Sequence, residues 1–410
     1  MDLKAMLKKY ANLIIHSGIN LQKDQILCVS ASLESAELVR LVAESAYKAG
    51  AKEVCVRWID EAVSRLKYEY APMSQFENVP AWFAAYNNDY AREGAGFLSI
   101  DSTDPGAFAG IDFRKPAAWR KAAYTACREY YDGMDMGRNT WCIVAASAPE
   151  WAKKVFPGCP EEEAVEKLWE AIFKAARVDT PDPAAAWDAH RRSFQRRIEY
   201  LNEMQFDRLH YKNSIGTDIT IGMPKDHCWA GGGAETRNGV YYFPNMPTEE
   251  IFCSPDKDRA DGTVCSALPL NCNGNLIDHF SLTFKDGRVT DFSAGAGYDT
   301  LKALIGTDEG SHHLGEVALI PKKSPISEMG ILFYNTLFDE NAACHFAIGN
   351  GFAECLKGGL DQSAEEQSTR GLNSSATHVD FMLGTPDLSV TGITKDGNEV
   401  PLFRDGNWAF

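Results

Sequence analysis

Glu250, Glu316, His345, His378 and Asp380 make a set of carboxylates and imidazoles with no cysteine in it, each set in an uncommon local string: NMPTEEIF, HHLGEVALI, DENAACHFAIG and SSATHVDFMLG. Mixed oxygen and nitrogen ligands of this kind suit Zn, Co, Mn or Fe, and more than four of them suggest two metals held close together. The set reads as the metal centre of an enzyme.

Each string also has a plainer reading when taken alone. In THVDFMLG, His378 and Asp380 stand two residues apart, so on a strand both leave one face while Val379 and Phe381 point to the core. Such a pair can share a metal or form a surface ion pair. In NMPTEEIF, Thr248 can cap a single helical turn with Glu249 and Glu250 near the positive end of its dipole, and Pro255 stops any helix soon after. Glu316 opens an apolar strand, where a carboxylate is costly unless it is paired, coordinating or solvated. Asp339 is a suitable cap for a short helix through Ile348 that ends at Gly349, carrying His345 as either a packed histidine or a ligand. His312 and His313 lie in the polar string TDEGSHH and read as a solvated loop. Gly231 to Gly233 precede a strand, GVYYF, and read as a turn instead of a phosphate cradle.

The elements that must position these residues fall into two halves. Strand signals at 25–32, 53–59, 96–100 and 140–146 alternate with helical patterns, which predicts a parallel sheet and an α/β domain over residues 1–183. No G-x-G-x-x-G or Walker string follows any of these strands, so nucleotide binding is not implied. Pro181 and Pro183 punctuate the chain before a charged helix over about 184–203. Beyond Phe206 come short strands with turn residues: RLHYKN, TDITIGM, GVYYF, HFSLTF, RVTDF, EVALI, GILFYN and a closing GITKDG hairpin. The pairs Asp286-Gly287 and Asp396-Gly397 are hairpin signals. Residues 184–410 therefore read as a largely antiparallel α+β domain that carries the metal site.

Composition narrows the partners. The chain has 410 residues, 45% apolar and 11% aromatic, which is the profile of an ordered globular protein of two or three domains. Its formal net charge is −16, from 41 basic and 57 acidic side chains, with no basic run. That balance argues against nucleic-acid or anionic-membrane surfaces, which need clustered Lys and Arg, and favours small molecules or peptides. Eleven cysteines without a C-x-x-C string argue against zinc ribbons and a disulfide framework. The opening MDLKAMLKKYANLIIHSG reads as an amphipathic helix instead of a signal peptide, and no stretch reaches the ~18 apolar residues that span a bilayer. A cytoplasmic location is the expectation.

Taken together, PNMPTEEIF, LGEVAL, FDENAACH and THVDFM resemble, in order and spacing, the metal-binding segments of the M29 peptidases, the thermophilic metalloaminopeptidases of the aminopeptidase T and aminopeptidase S group. The likeness extends from the first helix and KAGAKEV to the closing FRDGNWAF. It implies metal ligands at Glu250, Glu316, His345, His378 and Asp380. It also implies two divalent ions, Zn or Co with Mn or Mg as alternatives, and an active site facing the internal cavity of a homodimer. The activity implied is removal of N-terminal residues from short peptides by metal-activated water, with one ion holding the substrate amine. By analogy with other dimetal aminopeptidases, Glu249 is the candidate general base. One departure stands out: Phe352 occupies the position where the family has a tyrosine, and phenylalanine has no hydroxyl to donate or coordinate. Two other readings follow from the same strings. The ring-cleaving dihydroxypyridine dioxygenases share the scaffold and hold one Fe(II), which His345, His378 and Asp380 could ligate. A non-catalytic homologue is the other, raised by Phe352 alone.

Overall fold

The computed structural model describes residues 2–112, 114–272 and 275–410. They form two compact units, one of Met1–His190 and Gly233–Pro247, the other of Arg191–Gly232 and Thr248–Phe410.

In the first unit, β1 (Ile26–Ser32), β2 (Glu53–Ile59), β3 (Gly96–Asp101) and β4 (Trp141–Ala145) pair in parallel in the order β4-β3-β1-β2. β1 is buried along nearly all its length, as expected of a parallel strand covered on both faces. The connection from β1 to β2 runs through α1 (Ala36–Ala49), which ends at Gly50 in the left-handed region, φ 97°. This is the α/β arrangement that the alternating strand and helix signals imply.

The charged helix forms as α2 (Pro183–Met204), and the division between units falls within it, after His190. The chain then returns: Gly233–Pro247 belongs to the first unit, where Asn245–Met246 adds a parallel neighbour to β4. A single cut at 183/184 does not describe this return, because a two-residue strand has no compositional signature.

The second unit is built on antiparallel sheets. In the larger, Arg208–Lys212 and Asp218–Gly222 lie next to Ser389–Ile393 and Ala260–Cys265, and the long strands Asn275–Lys285 and Arg288–Ala296 pair through the Asp286-Gly287 turn. Both turn residues have positive φ, 49° and 78°, as a type I′ hairpin requires. The smaller sheet contains β5 (Ala230–Gly231), β6 (Ile251–Cys253), β7 (Leu314–Leu319), β8 (His345–Gly349) and β9 (His378–Met382), in the order β9-β8-β7-β6-β5. One apolar core joins these sheets. Phe346 of β8 meets Tyr211 edge-on with centroids 4.9 Å apart, and Phe381 of β9 packs against Phe280. Among the described residues, no helix is long and apolar enough to cross a membrane.

Three local expectations are corrected. His345 opens a strand, not a helix: the helical segment stops at Thr336–Asp339 and a 3-10 turn follows over Glu340–Ala342. Asn335 caps it, while the Asp339 carboxylate accepts from Phe333 N at 2.8 Å and Asn335 N at 3.0 Å. The alternation of Cys344, Phe346 and Ile348 toward the core has period two and overrides the local cap signal. Residues 248–250 lead directly into β6 without a helical turn, and GILFYN contains no strand.

Candidate metal centre

Strand register brings the expected ligands to one face. In the β8–β9 ladder Ala347 is opposite Asp380 and Gly349 is opposite His378. In the β7–β8 ladder Glu316 is opposite Ala347 and Ala318 is opposite His345. Directly opposed residues share a face, so His345, Glu316, His378 and Asp380 all leave the same side, above a floor of Ala318, Ala347 and Gly349. Glu250 reaches this group from the residue before β6. The opposite side carries Phe346, Val317 and Phe381 into the core.

A β-bulge between Leu314 and Glu316 sets the face of Glu316. Its extra residue is Gly315, where an added Cβ would lie 2.2 Å from the Asn350 carbonyl oxygen and 2.4 Å from that of Gly349. No larger residue fits that approach.

The side chains form two overlapping groups, Glu250 with Glu316 and His345, and Glu316 with His378 and Asp380, each with ligand atoms within 4.8 Å of one another. His345 Nε2 is 3.4 Å from Glu250 Oε2 and 3.9 Å from Glu316 Oε1. His378 Nε2 is 3.1 Å from Glu316 Oε2 and 3.2 Å from Asp380 Oδ1. Glu316 thus offers one oxygen to each imidazole.

Both rings are oriented from behind. His345 Nδ1 lies 2.8 Å from the Glu340 carbonyl, and His378 Nδ1 lies 2.7 Å from the Asn350 carbonyl. A carbonyl only accepts, so each Nδ1 carries a proton and donates it, which turns Nε2 toward the carboxylates as the atom that could ligate a metal.

The electrostatics follow from packing four carboxylates and two imidazoles together. Burial opposes charge on the imidazoles, yet the acid neighbours outweigh it. Glu250, Glu316 and Asp380 bring His345 up to about 10, and Asp380 with Glu316 brings His378 up to about 11. Burial pushes Glu316 up to about 7, against the pull of His378, with the Asp380 and Glu250 charges adding to the rise. For Asp380, burial is likewise the largest influence and would raise it, but the hydrogen bond and charge of His378 win and hold it below the usual carboxylate range. Asp380 Oδ1 is buried and has no well-aligned hydrogen bond, although His378 is close by. Two imidazoles that aim Nε2 at buried carboxylates, with one carboxylate shared between them, fit divalent cations, which would take the place of the Nε2 protons.

The structure also brings in a carboxylate that the sequence reading did not single out. Glu340 stands close enough to Glu250, Asp380 and Glu316 that, after burial, their charges push its own carboxyl well above the ordinary range. In the sequence Glu340 only follows Asp339, the residue read as a helix cap, in the string DENAACH. Glu249 lies outside both ligand groups and its side chain is buried. His312 and His313 are also outside them; His313 Nδ1 bonds the Lys257 carbonyl instead. Phe352 is beside the centre, its ring centroid 4.9 Å from that of His378 and 5.4 Å from that of Phe252.

The family model described as "Thermophilic metalloprotease (M29)" matches residues 3–408. The chain is 48% identical over 404 residues to aminopeptidase AmpS of Bacillus subtilis strain 168, covering 98% of each chain. Wild-type AmpT from Thermus thermophilus, a solved structure, matches with a TM-score of 0.92 at 39% identity, covering 99% of this chain and 100% of that one. A 2,5-dihydroxypyridine dioxygenase from Pseudomonas putida KT2440 matches with a TM-score of 0.52 at 13% identity over 99% of this chain and 96% of that one, a likeness of fold.

Proposed function

This chain belongs to the M29 family of thermophilic metalloproteases, enzymes that hydrolyse peptide bonds, and on that premise we propose that it is a dimetal aminopeptidase acting on short peptides. The observation that carries the two-ion reading is Glu316, whose two oxygens face two different imidazoles. Charge supports it too. The carboxylates of Glu250, Glu316 and Asp380 crowd together and Glu340 feels their charges, and two divalent cations would neutralise all four.

Glu250, Glu316 and His345 would hold one ion, and Glu316, His378 and Asp380 the other. Such ions supply Lewis acidity, activating a water and polarising the scissile carbonyl. The residues themselves supply orientation and proton movement. The Nδ1–H bonds fix both rings so that only Nε2 faces the centre. A carboxylate must take the attacking water's proton and return it to the leaving amine nitrogen. Glu249 holds that role by analogy alone; Glu340 is the second candidate, favoured because its carboxyl feels the charges of the ligand set. E249Q and E340Q, compared at equal metal content, separate them: the base loses kcat, and the other variant keeps it.

The native ions we propose are Zn or Co, with Mn or Mg able to substitute, in a cytoplasmic homodimer; the family resemblance supports the dimer. A mononuclear Fe(II) dioxygenase has no use for Glu250. The decisive experiment measures bound metal together with hydrolysis of a panel of aminoacyl and dipeptide substrates. About two ions per chain with release of N-terminal residues supports the proposal; a single iron and no peptide hydrolysis refutes it.

A further inference from the structure

We infer that Asn341 is a positioning residue of this centre: its carboxamide fixes the Glu250 segment and the Glu340 side chain relative to each other. The inference rests on the metal reading above. Asn341 is fully buried in the middle of the 3-10 turn, Glu340–Ala342, that carries Glu340. Its Oδ1 accepts from Glu249 N at 2.6 Å, one residue before Glu250. Its Nδ2 donates to the Leu337 carbonyl at 2.9 Å and faces Glu340 Oε1 at 3.4 Å. A single side chain therefore links the main chain that presents one ligand to a carboxylate that borders the others, across a gap of many residues in sequence.

The chemistry of the carboxamide matters here. It offers a donor and an acceptor without a charge. A lysine or arginine at this place would compete with the ions for the carboxylates, and an aspartate would add another negative charge to them. A neutral amide can hold Glu340 and Glu249 N at once and leave the charge balance to the metal. The Leu337 contact alone would make Asn341 a helix-terminating residue; the other two contacts make it a clamp on the site.

The test uses the full-length enzyme loaded with Co(II), whose visible absorption reports ligand geometry. N341A removes both contacts. N341S removes the carboxamide without adding a charge and keeps a small polar group in the buried position, so it remains informative where N341A fails to fold. For every folded variant we expect an altered Co(II) spectrum and kcat lowered by about 10–100-fold, the range typical of outer-shell losses, with little change in KM for a dipeptide. Variants that keep the wild-type spectrum and kcat, even with a lowered unfolding midpoint, overturn the inference and leave Asn341 purely structural. A wild-type chain that binds no Co(II) overturns the metal reading itself, and this inference with it.

Discussion

Ala347 lies directly opposite Asp380 in the strand ladder, and on its other side it lies opposite Glu316. A methyl group between two carboxylates is the smallest side chain that this face could carry, and on the proposed reading a cation would lie above it. Ala347→Leu would fill that space with an apolar branch while leaving every ligand in place. The expected outcome is loss of at least one ion per chain by elemental analysis and a kcat reduced by about 10²-fold or more, as in other first-rank losses of charge stabilisation. Full metal content in a folded A347L would show that the ions sit elsewhere.

Glu316 is common to both ligand groups, whereas Glu250 and Asp380 each belong to one. Replacing Glu316 with Ala should therefore empty both positions. Glu250→Ala and Asp380→Ala should each retain about one ion with weakened affinity, typically by 10–100-fold or more. Equal metal loss in all three variants would argue for a single ion instead.

The protonation of the metal-free site gives a pH prediction with a definite sign. His345 and His378 rise from 6.5 to about 10 and about 11, so they stabilise the folded chain below about pH 6.5, and that contribution fades as pH climbs through those higher values. Glu316 rises from 4.5 to about 7, so it also costs stability increasingly between those values. Both effects lower the unfolding midpoint of the metal-free protein as pH rises from about 5 to 10. Ions bind the deprotonated ligands, so the gap between metal-loaded and metal-free midpoints should widen over the same range. A gap that narrows with pH would contradict the ligand assignment.

Phe352 touches His378 with its ring and has no hydroxyl to offer. Where a phenol helps hold the developing oxyanion, its loss costs on the order of 10²–10³ in rate. Phe352→Tyr should then raise kcat with unchanged metal content, since none of the five expected ligands is altered. An unchanged kcat in an already fast enzyme means that another donor serves. A native protein that binds metal, cleaves no peptide and gains activity only as F352Y is a degenerate homologue.

Much of the scaffold was legible because its signals are local. β1 to β4 fall where buried apolar runs and helical spacers put them, and His378-x-Asp380 on one strand face follows from period two alone. His345 was harder: Asp339 to Ala343 carry helix-start signals, and only the packing of Phe346 against Tyr211 and of Ile348 in the same core decides for a strand. Glu340 was missed because its approach to the centre depends on a 3-10 turn and on a strand register that no local pattern encodes. The return of Gly233–Pro247 to the first unit was hidden for the same reason.

The orienting partners of both imidazoles are main-chain carbonyls, those of Glu340 and Asn350. No single side-chain replacement can delete either acceptor, so the tautomers are protected against the commonest kind of mutation in a way that a carboxylate partner would not be. The orientation of the two rings can therefore be lost only by replacing an imidazole itself or by displacing the backbone behind it. The second route passes through Gly315, whose close approach to the Asn350 carbonyl ties the bulge that aims Glu316 to the atom that aims His378. An alanine there would misdirect a carboxylate and an imidazole together, so one methyl group could disable the centre with every ligand still present.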